Sequence, residues 1–296
     1  MGGLLAEPGI ALALAGIIGL LVGSFLNVVI HRLPRMLERQ WRAECAELAG
    51  SGAETGMTGA LPVAAPSPEA TRYNLVVPRS ACPSCGHRIA AHENIPVVSW
   101  LALRGKCSHC GARIPARYPV VELAGGALAV AAIWHFGPTW QGLAACGLLW
   151  TLLALAFIDA DTQLLPDNLT LPLLWAGLVA NLFEVFVPLA QAVVGAIAGY
   201  VSLWLVYWAY KLTRGREGMG YGDFKLLAAL GAWMGWKALP AIVLLSSLVG
   251  AIIGIALILL QGRDKATPLP FGPYLAAAGA IALFAGPALI RIYLPS

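Results

Sequence analysis

Apolar stretches of about 20 residues, the length that crosses a bilayer, recur along the chain and are separated by short polar intervals. Eight such spans are predicted, over roughly Ile10–Ile30, Pro119–Phe136, Gln141–Ile158, Leu169–Val187, Ala190–Lys211, Phe224–Leu239, Ala241–Leu260 and Tyr274–Ile292. The sixth is the weakest, being short and interrupted by Gly231 and Gly235, and its split from the seventh is placed at Pro240. One polar interval is long, from Arg32 to Tyr118. The pattern therefore divides the chain into a first transmembrane helix (1–31), a polar loop region (32–118) and a seven-helix membrane region (119–296).

Composition agrees with this all-α polytopic membrane fold. Of 296 residues, 59% are hydrophobic and only 11% charged, against roughly 25% charged in a soluble domain. Charge then orients the spans. Eleven of the 19 Lys and Arg residues fall between Arg32 and Arg117, and with eight spans 17 of the 19 share one side, leaving only Lys237 and Arg291 opposite. The positive-inside rule makes that side cytoplasmic and puts both termini outside. The net charge of +4 reflects this asymmetry, so no nucleic-acid partner is read from it. The first apolar run is not read as a cleaved signal peptide, since it is too long and lacks a basic leading region and a small-residue cleavage site. No lipidation motif is found, because Ala6 stands where a myristoylation site wants Ser or Thr.

Within the polar loop, Met36 to Ala49 is expected to form a short amphipathic helix. Gly50 to Thr71, rich in Gly, Ala, Pro, Ser and Thr, reads as a flexible linker. From Val77 a compact module begins, and it contains a duplication: C-P-S-C-G-H-R-I from Cys82 and C-S-H-C-G-A-R-I from Cys107. Four thiolates in two C-x-x-C pairs suit a tetrahedral zinc site, and the Gly after each second Cys suits the tight turn of a metal knuckle. Cys82, Cys85, Cys107 and Cys110 are thus the predicted ligands of a structural zinc ion. The 21 residues between the pairs exceed the usual window by one, which a small hairpin insertion would absorb. Two disulfides are the other reading, disfavoured in a reducing cytoplasm. His87 and His109 are weaker ligand candidates. Cys45 and Cys146 are left over, the latter as a small packing residue inside a span.

Four aspartates gather near the cytoplasmic edge: Asp159, Asp161, Asp167 and Asp223. Asp161 and Asp167 could simply solvate or cap helix ends. Asp159 differs because it ends an unbroken apolar run, and Asp223 because it follows alternating glycines in G-M-G-Y-G-D-F-K. Carboxylates at the edge of hydrocarbon are costly and mark function. Two of them can share a proton and activate water, one as general base and the other as general acid, with no metal required. No G-x-S-x-G is present to suggest a serine nucleophile.

With these residues in view, the chain resembles the type IV prepilin peptidases, intramembrane aspartyl proteases of the GxGD class that also act as N-methyltransferases. The resemblance rests on G-S-F-L-N-V-V-I-H-R-L-P from Gly23, the duplicated C-x-x-C, N-I-P-V-V-S-W-L-A-L-R-G-K-C from Asn94, R-Y-P-V-V-E from Arg117, F-I-D-A-D-T-Q-L-L-P-D and G-M-G-Y-G-D-F-K-L-L-A. It implies that Asp159 and Asp223 are catalytic. It implies substrates that are type IV prepilins and type II secretion pseudopilins, cut after a Gly at the cytoplasmic face of the bacterial inner membrane. It also implies N-methylation of the new N-terminal residue with S-adenosylmethionine as methyl donor. The family often has His where this chain has Gln163. No Rossmann-like G-x-G-x-x-G offers a donor site. Glu93, Asn94, Arg104, Lys106, Arg117 and Glu122 either belong to such a site or fold the module onto the membrane; Asn27 and Arg32 either orient the loop at the headgroups or contact substrate. The competing classes are a polytopic transporter with intramembrane acids and a zinc-binding regulatory loop, and a non-catalytic secretion scaffold.

Overall fold

The structure, a computed structural model, describes residues 7–52, 73–215, 219–261 and 269–293. The predicted linker lies outside the described residues from position 53 onward, as do Gly218 and the basic residues Arg216, Arg263 and Lys265. Among the described residues eight long helices stand where eight spans were expected: α1 (Pro8–Gly52), then, after the short α2 (Val98–Ala102), α3 (Arg117–Phe136), α4 (Trp140–Thr162), α5 (Asp167–Leu182), α6 (Leu189–Arg214), α7 (Tyr221–Met234), α8 (Leu239–Gln261) and α9 (Gly272–Tyr293). Five helical stretches are long and apolar enough to cross a membrane. Their outward faces are greasy, with Ile17, Leu21 and Phe25 on α1 and Leu244, Leu248 and Ile252 on α8 all exposed. That surface suits hydrocarbon, where a helix satisfies its own backbone and leaves apolar side chains to the lipid.

α1 differs from expectation. The amphipathic segment Met36–Ala49 is not a separate helix but the continuation of the first span, through Pro34, in one rod of 45 residues. Salt bridging between Arg42 and Glu38 and a hydrogen bond from Gln40 to Glu44 lace its polar half at i,i+4 spacing.

α7 also differs. Its 14 residues rise only about 21 Å, short of the ~30 Å hydrocarbon core. It is buried nearly all round, with Phe224, Leu226, Leu227 and Leu230 fully enclosed. It is therefore the central strut of the bundle rather than a lipid-facing span. Gly235, with φ of 75°, ends it; the Trp236–Ala238 3₁₀ turn follows, and α8 begins at Leu239, so Pro240 sits in the first turn of α8 rather than at the break.

Glycines set how closely these helices approach. A Cβ on Gly195 of α6 would collide with the Gly231 carbonyl of α7, and one on Gly231 with the Gly195 carbonyl. On the other side of the bundle, a Cβ on Gly19 of α1 would lie 2.6 Å from the Gly125 carbonyl oxygen of α3. Small residues at matched positions let backbones touch where no hydrophobic effect drives helices together in lipid. Gly231, which weakened the sixth span in the sequence, is thus a contact surface.

Candidate active site

Asp159 sits in the last turn of α4 and Asp223 in the first turn of α7. α4 is held open at its far end by Thr139, whose Oγ1 accepts the Gly142 N–H at 3.2 Å. It closes at Gln163, which adopts a left-handed conformation (φ 54°) and returns its N–H to the Asp159 carbonyl at 2.8 Å. The two helix ends bring both aspartates to one cavity of about 760 Å³. Asp159 is 5% exposed and Asp223 7%, and both line that cavity. Neither has a basic partner among the described residues. Two carboxylates buried without a cation are expensive to ionise together. The cavity is also walled by Leu37 and Trp41 of the α1 extension and by Phe271.

One contact escapes sequence reasoning. The Gly272 N–H, at the start of α9, donates to Oδ2 of Asp159 at 2.9 Å. A Cβ on Gly272 would sit 2.7 Å from that same oxygen, so only glycine fits there. The one available signal was the P-F-G-P run from Pro270, a glycine between prolines ahead of the last span.

The remaining aspartates have ordinary partners. Asp161 accepts from Arg117 Nη1 at 2.8 Å, and Asp167 accepts from Lys225 Nζ at 2.6 and 2.8 Å. Asp167 is the first residue of α5, not its N-cap, a position taken by Pro166. Of the motif glycines, Gly220 has φ of −80°, and Gly222 is required by proximity, since its Cβ would meet the Leu165 Cβ at 2.6 Å.

The cysteine module lies beside α1 and the start of α3, and the three line one cavity. Its two knuckles repeat one hydrogen-bond pattern. Gly86 N–H donates to Cys82 O and Cys82 N–H to His87 O; Gly111 N–H donates to Cys107 O and Cys107 N–H to Ala112 O. Gly86 and Gly111 have φ of 72° and 70°, the conformation that favours glycine. The four sulfurs lie within 4.8 Å of one another, with Cys82 and Cys110 at 3.8 Å. Zinc–sulfur bonds of about 2.3 Å in a tetrahedron need sulfurs about 3.8 Å apart, so the set fits that ion. Its charge balance points the same way. Backbone N–H groups of Cys85 and Ser84 draw the Cys82 thiol down to about 6. Cys85 is pulled down by the His87 N–H, yet desolvation and the sulfurs of Cys110, Cys82 and Cys107 outweigh that and push it up to about 12. Four thiols this close ionise together only around a cation. His87 and His109 stack on each other at 5.3 Å and are not in the sulfur cluster. Instead of a hairpin, the segment between the pairs holds a 3₁₀ turn (Ala91–Asn94) and α2. Glu93 locks that turn: the Ser108 hydroxyl, the Ala90 N–H and His87 hold its carboxyl down to about 2. Cys146 is buried inside α4, as expected of a packing residue.

Sequence comparison matches these two regions separately. The bacterial peptidase A24 N-terminal domain matches residues 17–136, and the type IV leader peptidase family matches residues 146–255. The chain is 57% identical over 278 residues to a prepilin leader peptidase/N-methyltransferase of Pseudomonas aeruginosa, covering 94% of this chain and 91% of the relative. Proteins of the same description from Aeromonas salmonicida (57%, covering 97% and 95%) and Burkholderia pseudomallei (56%, covering 94% and 86%) are similarly close. No solved structure matches the chain.

Proposed function

The chain belongs to the type IV leader peptidase family, and from that premise we propose that Asp159 and Asp223 activate the water that removes the leader peptide from type IV prepilins and type II secretion pseudopilins. The observation that carries this is the meeting of two buried, cation-free carboxylates from separate helix ends in one cavity. The ionised member takes a proton from water. The protonated member polarises the scissile carbonyl and then protonates the leaving amine. Gly272 N–H, bonded to Oδ2 of Asp159, orients that carboxylate.

The reaction sits where the substrate's own chemistry would place it. In the bacterial inner membrane, with the 32–118 region cytoplasmic by its basic residues, a basic leader stays in the cytoplasm and its apolar stem enters the bilayer. The scissile bond then lies at the depth of the two helix ends. The relatives' names join cleavage to N-methylation, and do not favour a transporter. This chain accordingly methylates the new N-terminal residue with S-adenosylmethionine, which supplies an electrophilic methyl group. Cys82, Cys85, Cys107 and Cys110 hold one zinc ion that is structural: four thiolates leave no position for water, and binding the ion folds the module.

The test is the N-terminal sequence and mass of a co-expressed prepilin. With the wild-type chain the pilin should lack its leader and carry one added methyl group; with Asp159→Asn it should keep the leader. A processed pilin from the Asp159→Asn strain, with no other peptidase present, would remove Asp159 from the mechanism.

A further inference from the structure

A second cavity, of about 410 Å³, lies between α1, the cysteine module and the start of α3. It is of small-molecule size and distinct from the aspartate cavity, sharing none of its lining residues. Of the nine buried polar or charged side chains among the described residues, four (Asn27, Arg32, Ser99 and Glu122) line it. Two of these are charges. Arg32 is 8% exposed; its Nη1 donates to the Asn74 carbonyl at 3.0 Å and its guanidinium lies 5.8 Å from the Tyr73 ring centroid. Among the described residues no carboxylate pairs with it. Glu122 is also 8% exposed; it accepts the Val97 N–H at 2.8 Å and bonds Ser24, and among the described residues no cation pairs with it. Buried charges are normally paired, yet here a cation and an anion face one cavity without pairing with each other.

Such a pair is complementary to a zwitterion. We propose that this cavity binds S-adenosylmethionine, with Arg32 receiving the carboxylate of its amino-acid end and Glu122 the ammonium. The inference rests on the methylation read above and adds its site. A guanidinium fork fits a carboxylate better than an ammonium point charge would. Trp100 and Tyr118 supply aromatic lining for a purine. Trp100 is fixed by donating its Nε1–H to the Ile114 carbonyl at 3.1 Å, and Gly105 leaves room for the indole. Asn27 ties the cavity to α3 by donating to the Tyr118 carbonyl at 3.1 Å. In the transfer, the lone pair of the neutral α-amine forms an N–C bond to the methyl carbon as the C–S bond breaks. The electron pair stays on sulfur, the positive charge passes to nitrogen, and the new ammonium loses its proton to water. No protein base is needed, because an α-amine titrates near 8. The cavity also explains how a module without a dinucleotide-type fold serves methyl transfer: the zinc knuckles form one wall and the helix ends the other.

The test is equilibrium binding of radiolabelled S-adenosylmethionine to the full zinc-loaded chain in detergent. Arg32→Gln and Glu122→Gln should each weaken binding by about tenfold or more, the loss expected for a charge-assisted hydrogen bond, and Arg32→Lys by less than Arg32→Gln. Val28→Trp, which fills the cavity from α1 while leaving both charged residues in the chain, should also abolish binding. Zinc content and prepilin cleavage by the same variants report on folding. If wild type binds and all four variants bind equally well, this site is wrong while methylation stands. If wild type binds no donor at all, the methylation reading itself falls. Unchanged donor binding by Arg32→Gln with loss of co-purified acidic phospholipid would give Arg32 to a lipid headgroup and overturn the proposal.

Discussion

Asp159 and Asp223 are brought together by long helices from distant parts of the chain and are buried in the bundle. The four cysteines come from two short knuckles in one loop, and Cys85 and Cys110 are exposed. The first arrangement is held by packing over the whole membrane region: α7 is clamped by α5, α6 and α9, and glycine contacts fix its distance from α6. The second is held by local turns and by what the sulfurs bind. Packing positions buried charges, whereas a metal can organise a module too small for a hydrophobic core. The two regions should therefore fail separately.

The largest effect should come from the aspartates. Asp159→Asn or Asp223→Asn alone should lower prepilin cleavage by about a thousandfold or more, and the double variant should be no worse, because residues acting as one unit are non-additive. Methylation of a pilin supplied already cleaved should continue in both. Cleavage rates measured in detergent or membranes decide this; substantial activity in either single variant would dissolve the pair.

The cysteines should show the converse. The chain should carry about one zinc ion by elemental analysis, and Cys82→Ser/Cys85→Ser close to none. That variant should lose methylation far more severely than cleavage, since its aspartates stand on other helices. Full metal content in the double variant, or wild-type methylation by metal-free protein, would break the contrast.

This division was partly legible in the sequence, and the physical reason differs by residue. Asp159 and Asp223 stood out because carboxylates beside apolar runs violate the pattern around them. The cysteines stood out because metal ligands must recur at knuckle spacing. Gly272 could not be seen: its partner is 113 positions away, and only the fold joins them. The burial of α7 within the bundle was hidden as well, because a helix buried in protein and one buried in lipid are equally apolar. The unpaired charges on Arg32 and Glu122 were equally hidden, since lacking a partner is a property of space and not of order along the chain.

Gly272→Ala sharpens the comparison at intermediate size. The added methyl group would press on Asp159 Oδ2, and small misplacement of a reacting group can cost up to about a hundredfold. Cleavage should fall by about tenfold to a hundredfold, with zinc content and donor binding unchanged. Gly220→Ala, where the nearest atom to the new Cβ is the Gly222 backbone nitrogen at 4.0 Å, should cost much less. Equal losses in the two would mean that crowding at Asp159 is not what Gly272 prevents.

The smallest effects should come from two part-exposed ion pairs, one beside Asp159 in the chain and one lining the aspartate cavity. Arg117 and Asp161 have side chains 35% and 42% exposed, and Lys225 and Asp167 27% and 52%. Exposed pairs contribute about 0–1 kcal/mol, since water already screens both charges. Asp161→Asn should therefore reduce cleavage only a few-fold, although it lies two residues from Asp159. Arg117 also lies 5.0 Å from the Phe157 ring centroid, so Arg117→Gln should cost slightly more than its partner's loss. A double-mutant cycle on cleavage rates isolates the pair: its coupling should stay below about 1 kcal/mol. The same cycle on Lys225 and Asp167 should give a similar value, because the geometry and exposure are similar. If Asp161→Asn proved as damaging as Asp159→Asn, the catalytic member of F-I-D-A-D would be Asp161. Its exposure and its Arg117 partner would then have to be features of a resting state that substrate binding breaks.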